Sequence, residues 1–271
     1  MNIQQLAHFG LDTNPFHKDV TDDHLWLPPS KQGVVDALVD TVSERRWSLL
    51  VGDPGVGKTC VLRALRHRLT SDGFRLTYCC NTTLGRRDFY RQVCHALGLT
   101  PKATAASVFY AITTNVTDLG RENVHSVLLI DEAHLLHQDV LDHLHILGNF
   151  EWDSAPLLTI VLVGLPELED RLALRRNRSI YSRLARRLRI GALSPPDTAD
   201  YLRNRLRRVG CDRELFAADA VGLLHEAAAG TLRDLDRLAD AAMRNTANAG
   251  AKLVDRSAVA LAVRQDTVDV A

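Results

Sequence analysis

Residues 52–59 read Gly-Asp-Pro-Gly-Val-Gly-Lys-Thr and meet every fixed position of the pattern G-x-x-x-x-G-K-[ST]. No other feature constrains the fold as much. The N–H groups of such a loop converge on an anion only when a buried strand delivers the loop and a helix starts at its end. Both flanks are legible. Residues 47–51 read as a short buried strand, and residues 60–69 as a helix with Val61, Leu62, Leu65 and Leu69 on one side. Gly52, Gly55 and Gly57 let the backbone curl inward. Gly52, Asp53, Pro54, Gly55, Val56, Gly57, Lys58, Thr59 and Cys60 are therefore expected to cradle the phosphates of ATP. Lys58 should reach the β- and γ-phosphates, and the Thr59 hydroxyl should hold Mg²⁺.

A second constellation completes this site. Val127-Leu128-Leu129-Ile130 is an apolar run that ends in Asp131-Glu132. The run buries a central strand, and its end delivers two carboxylates beside the loop. Asp131 is expected to bind Mg²⁺ through water, and Glu132 to polarise an attacking water. Asn81 ends an earlier strand, residues 76–80, and has two readings. It either hydrogen-bonds Glu132 and holds it from water until a partner binds, or it forms a turn. His134 completes an Asp-Glu-Ala-His run like that of DEAH helicases, but no other motif of those enzymes is present.

Strands alternate with helices from residue 31 to residue 193, with further helices in 33–46, 87–97, 105–119 and 139–147 and a further strand at 158–163. This alternation predicts parallel βαβ units in a three-layer αβα P-loop NTPase core. After Ser194-Pro195-Pro196-Asp197 the pattern becomes purely helical, over 198–209, 216–229, 231–246 and 256–264, which predicts a small helical lid domain over 194–271. Thr231 and Asp234 form a start like a capping box. Residues 1–30 read as loop carrying Phe9, Phe16 and Trp26, a segment expected to pack on the core. Those aromatics either approach the adenine or only pin the segment down.

These motifs and the helical C-terminal part resemble AAA+ ATPases. Phe9-Gly10-Leu11, Asn14-Pro15-Phe16 and Val161-Leu162-Val163-Gly164-Leu165-Pro166-Glu167-Leu168 resemble, more narrowly, the ExeA-like branch, which includes helper ATPases of DNA transposition of the TnsC, TniB and IstB kind. The resemblance runs from about residue 6 to about residue 247. It implies that Gly230-Thr231-Leu232-Arg233 is a sensor 2 motif whose Arg233 reaches the γ-phosphate from the same subunit. It also implies an arginine finger acting in trans near Tyr181-Ser182-Arg183-Leu184, with Arg183 first and Arg178, Arg186 and Arg187 as rivals. One departure stands out. Many relatives have Gln after Val-Gly in the fourth strand, where this chain has Leu165, which cannot hydrogen-bond a phosphate or water.

Charge narrows the choice of function. The formal net charge is zero, yet 28 of the 33 basic residues are Arg, and residues 171–213 hold thirteen Arg against three Asp. Such a stretch suits phosphate or subunit contacts. The five cysteines form no C-x-x-C pair, no signal peptide opens the chain, and no apolar run nears membrane-spanning length, so a cytoplasmic protein with no membrane contact is expected. The leading expectation is an ATPase that oligomerises as a ring or filament, binds duplex DNA without sequence preference and regulates a transposase. The alternatives are a secretion or envelope ATPase, which is expected to need a membrane span and a domain beyond residue 271, and a signalling or defence switch without DNA.

Overall fold

A computed structural model describes residues 1–18, 21–22, 25–69, 73–80, 82–100, 104–151 and 154–269. In chain order the first elements are α1 (Ile3–Phe9), α2 (Pro29–Ser43), β1 (Trp47–Val51), α3 (Lys58–Leu69), β2 (Phe74–Cys79), α4 (Arg86–Ala96), α5 (Ala105–Arg121) and β3 (His125–Ile130). There follow α6 (Gln138–Leu144), β4 (Leu158–Gly164), α7 (Glu167–Ala173), α8 (Arg178–Tyr181), β5 (Leu184–Arg189), α9 (Pro195–Arg207), α10 (Ala218–Ala227), α11 (Leu232–Asn248) and α12 (Arg256–Asp269). Contacts divide them into two compact units. One holds Ser30–Asp53 and Lys58–Ile190; the other holds Met1–Pro29, Pro54–Gly57 and Gly191–Ala271.

The first unit is built on one parallel sheet of order β2-β3-β4-β1-β5. β1, β3 and β4 are buried along their whole length, as unbroken apolar runs must be when helices cover both faces. Leu49, Val51, Leu128, Ile130, Ile160 and Leu162 point into one apolar cluster with residues of α4 to α7. By strand alternation Leu50, Val161 and Val163 take the other face, where α2 and α3 bury Val35, Leu38, Val61 and Leu65. This is the expected three-layer αβα arrangement.

The edge strand β5 was not legible in the sequence. Its Leu-Ala-Arg-Arg-Leu-Arg buries only Leu184, and Arg186, Arg187 and Arg189 are exposed. Charged side chains on an edge blunt its tendency to pair with other chains. They also hide the strand from any search for apolar runs. Arg187 lies 4.6 Å over the Tyr181 ring, and Arg189 pairs with Glu169 at 2.9 Å.

The second unit gathers α1 and α9 to α12 around another apolar cluster, which includes Phe9, Leu11, Phe16, Leu202, Leu224, Leu235 and Met243. The leading segment, expected on the α/β core, therefore belongs to the helical unit instead. Residues 3–9, expected as loop, form α1, closed by Gly10 at φ +68°. Apolar burial decides the matter, because Phe9 is 2% and Phe16 5% exposed in this cluster. Polar contacts reinforce it. Asn14 Nδ2 donates to Asp240 at 2.7 Å. The buried Arg205 guanidinium donates to His17 O at 2.9 Å and pairs with Asp236 at 3.1 Å. Trp26 packs 5.7 Å from the Tyr201 ring. α9 opens with Ser194 and Asp197 in a capping box, and α11 opens with Thr231 Oγ1 accepting from Asp234 N–H.

Candidate active site

The C-terminal edge of the sheet carries most of the expected site. Gly52 N–H donates to Gly164 O at 3.2 Å, so the loop leaves β1 beside the end of β4. Lys58 is buried at the mouth of the loop, its Nζ donating to Gly52 O at 2.7 Å and Asp53 O at 3.0 Å. It opens α3, whose N-terminal N–H groups favour an anion at the same point. Thr59 is exposed next to it, and Cys60 is half-buried.

Asp131 follows β3 directly and is buried. Its N–H continues the ladder to Cys79 O at 2.9 Å. Both its carboxylate oxygens are engaged: Oδ1 accepts from Glu132 N–H at 2.9 Å, and Oδ2 accepts from the Tyr78 hydroxyl at 2.8 Å. Burial, and then this bond to Asp131, holds the Tyr78 hydroxyl far above its usual pKa, so it stays a donor. Glu132 sits in the left-handed region at φ +52°, a conformation that costs a non-glycine residue about 1 kcal/mol and clusters at functional sites. Two bonds hold it there, its own N–H to Asp131 and Thr82 Oγ1 donating to Glu132 O at 2.7 Å. The Glu132 carboxylate is half exposed, with His134 Nδ1 at 3.4 Å.

Asn81, the expected partner of Glu132, lies outside the described residues. Thr82 and His134 are the described groups beside Glu132, and the sequence reading had assigned neither. Leu165 follows β4 half-buried, and the polar side chain beside that strand end is His134, 3.4 Å from where a Cβ on Gly164 would sit. Thr59 and Asp131 offer hard oxygen donors of the kind Mg²⁺ prefers, so this donor set fits the ion.

The two expected arginines fall in different places. In the helical unit, which includes Pro54–Gly57, Gly55 O accepts from Leu232 N–H at 3.0 Å and from Arg233 N–H at 3.4 Å. A Cβ on Gly55 would lie 3.1 Å from Arg233 Cβ, at a loop φ of +79°, so only glycine permits this approach. Gly230, at φ +67°, is equally constrained, because a Cβ there would meet Leu193 O at 2.5 Å.

Arg183 stands at the other end of the sheet, just before β5. Leu184 pairs with Trp47 at the start of β1, and Arg189 pairs with Val51 at its end. At 3.3 Å per residue, roughly 16 Å separate Arg183 from the loop of its own chain. Its guanidinium donates to the Asn149 carboxamide, and it lines a cavity of about 310 Å³ with Arg45, Arg46, Trp47 and Gly148. Arg45 closes α2 at φ +58°, where glycine is the usual residue. Arg45 and Arg46 carry no motif and were not anticipated.

The remaining arginines of 171–213 are largely occupied within the fold. Arg171 donates to His134 O, Arg176 pairs with Asp142, Arg203 with Asp200, and Arg208 and Arg213 bind backbone carbonyls of the leading segment. Arg175, Arg178 and Arg186 are exposed.

The AAA domain family model matches residues 40–172. With the sheet order and the phosphate loop, this makes residues 40–172 an AAA domain, the nucleotide-binding part of an ATPase. Among particular proteins it is similar to General secretion pathway protein A of Aeromonas hydrophila, 31% identical over 238 residues. That match covers 87% of this chain and 43% of the relative, so the chain spans less than half of that protein's length. It supports the ExeA-like part of the resemblance. Among solved structures, the ORC2 protein of Aeropyrum pernix with ADPNP and ADP has a TM-score of 0.70 at 15% identity, covering 94% of this chain and 72% of that one. Drosophila ORC bound to DNA has a TM-score of 0.70 at 22% identity, covering 96% and 65%. At these identities the likeness is one of fold. No helix among the described residues is long and apolar enough to cross a membrane.

Proposed function

We propose that this ATPase works as an assembly of its own copies, in which each nucleotide site is finished by Arg183 of a neighbour. The observation that carries this reading is the position of Arg183 on the sheet edge opposite the loop, beside Arg45 and Arg46. An arginine there cannot reach the phosphates of its own chain. A head-to-tail contact between copies brings one subunit's N-terminal edge to the next one's C-terminal edge, and closes as a ring or runs on as a filament.

The residues then divide the work. When bound, Mg²⁺ would neutralise the charge that develops on the γ-phosphoryl group of ATP. Lys58 and the backbone N–H groups of the loop 52–60 would hold the phosphates, while Thr59 and Asp131 would hold the ion. Glu132 orients the attacking water and takes its proton. Its partly open carboxylate and left-handed backbone aim it past the end of β3. Arg183 stabilises transition-state charge in trans.

The finer reading is that the ATP-bound assembly binds duplex DNA and regulates a transposase from the cytoplasm. The exposed Arg175, Arg178 and Arg186 support a modest phosphate contact in each subunit, repeated along an oligomer. A role in secretion is the second reading, and the likeness to General secretion pathway protein A favours it. Sedimentation of Glu132→Gln protein with ATP, with and without duplex DNA, tests these readings in order. Assembly with ATP that Arg183→Ala weakens supports the shared site. A monomer under every condition contradicts it. Assembly without any retention of DNA at low salt favours the secretion reading.

A further inference from the structure

We propose that Tyr78 is a positioning residue for the Asp131 carboxylate and so sets how tightly the cation of the nucleotide is held. This rests on the reading that Asp131 serves Mg²⁺. In the parallel register Tyr78 pairs with Leu129, two residues before Asp131. The phenol therefore reaches past the end of β3 to the carboxylate, and its hydroxyl donates to Oδ2 at 2.8 Å. Oδ1 is taken by Glu132 N–H at 2.9 Å. Each carboxylate oxygen has two lone pairs, so one on each stays available for the water of a bound ion. Two donors on different oxygens fix the plane of the group and its single rotamer. Asp131 is 5% exposed, so little bulk water can replace a donor that is lost.

The same geometry separates this role from packing. Thr77 and Cys79 on either side of Tyr78 are buried, whereas Tyr78 itself is 47% exposed. Replacing Tyr78 with Phe removes one hydroxyl and opens no hole in the core. Donors behind a metal-binding group typically change metal affinity by about 10- to 100-fold.

The test is a Mg²⁺ titration of a fluorescent ATP analogue on wild type, Tyr78→Phe and Asp131→Asn, with Mn²⁺ binding followed by electron paramagnetic resonance. Tyr78→Phe should bind the metal-free analogue as wild type does. Its Mg²⁺ midpoint and Mn²⁺ dissociation constant should rise about 10-fold, and saturating Mg²⁺ should restore hydrolysis. If Asp131→Asn shifts the midpoint and Tyr78→Phe leaves it within about twofold of wild type, the role of Tyr78 is overturned. If neither variant shifts it, the metal reading of Asp131 fails and this inference falls with it. Equal weakening of metal-free binding in Tyr78→Phe would show a structural role instead, and also overturn it.

Discussion

At the C-terminal edge of the parallel sheet, β1 and β3 end in a glycine-rich loop, a buried lysine and two carboxylates. At the N-terminal edge, one strand length away, Arg45, Arg46 and Arg183 surround a cavity walled by Trp47. In the proposed reading the first edge grips a nucleotide and its cation and activates a water. The second carries three arginines out of reach of their own loop, and in the proposed reading Arg183 supplies the cationic charge that phosphoryl transfer needs in its transition state. The contrast points to a division of labour between copies of the chain.

The largest expected effects separate binding from turnover at the first edge. Lys58→Ala should lose tight ATP binding, because the charge facing the β- and γ-phosphates is gone. Glu132→Gln should bind normally and hydrolyse about 10³-fold more slowly, a loss of about 4 kcal/mol of transition-state stabilisation. Equilibrium binding and phosphate release measured on both variants check this. Equal hydrolysis in wild type and Glu132→Gln would break the assignment.

The second edge has a pH signature. His125 begins β3 there, and burial first, then the nearby Arg45, lowers its pKa from 6.5 to about 4. The folded state therefore favours neutral His125, while the unfolded chain takes up its proton near pH 6.5. Its contribution is complete above about pH 6.5 and is lost as the pH falls towards 4, on the order of 3 kcal/mol in all. Denaturant melts of wild type across that range should weaken with acid, and His125→Gln should flatten the trend.

A smaller effect sharpens the role of the cavity. A Cβ on Gly148 would lie 2.7 Å from the Trp47 ring, whose Nε1–H is tied to Leu158 O at 3.0 Å. Gly148→Ala should cost about 1–3 kcal/mol through overpacking and lower hydrolysis without changing ATP binding. Melting and turnover measured together check it, and unchanged turnover would detach the cavity from catalysis.

The smallest expected effect concerns DNA. With Arg175, Arg178 and Arg186 as the phosphate contacts of each subunit, the log–log dependence of affinity on salt should have a slope of about −3 per subunit. A slope several times steeper, from titrations of labelled duplex at several salt concentrations, would mean that other basic residues carry the contact.

The two edges also differed in how far the sequence revealed them. The loop and Asp131-Glu132 were legible because their chemistry demands fixed residue types at fixed spacing, and β1, β3 and β4 because buried parallel strands are unbroken apolar runs. The arginine edge had no such spacing. β5 was obscured by its own arginines, and Arg45 joins Arg183 only through the pairing of β1 with β5. Tyr78 was invisible for the same reason, since only the β2–β3 register brings it to Asp131. The excess of Arg over acid in 171–213 suggested one basic face, but most of those side chains are spent on carboxylates, carbonyls and a Tyr ring within the fold.

Mixing Lys58→Ala with Arg183→Ala protein and measuring ATP hydrolysis tests the shared site most directly. Each variant alone should be nearly inactive, the first for want of a nucleotide and the second for want of a neighbour's arginine. In the mixture, an intact loop of one copy meets an intact Arg183 of the other, and hydrolysis should reappear. If the mixture stays as inactive as its parts, or if Arg183→Ala alone hydrolyses ATP like wild type, the site is not completed across copies by Arg183.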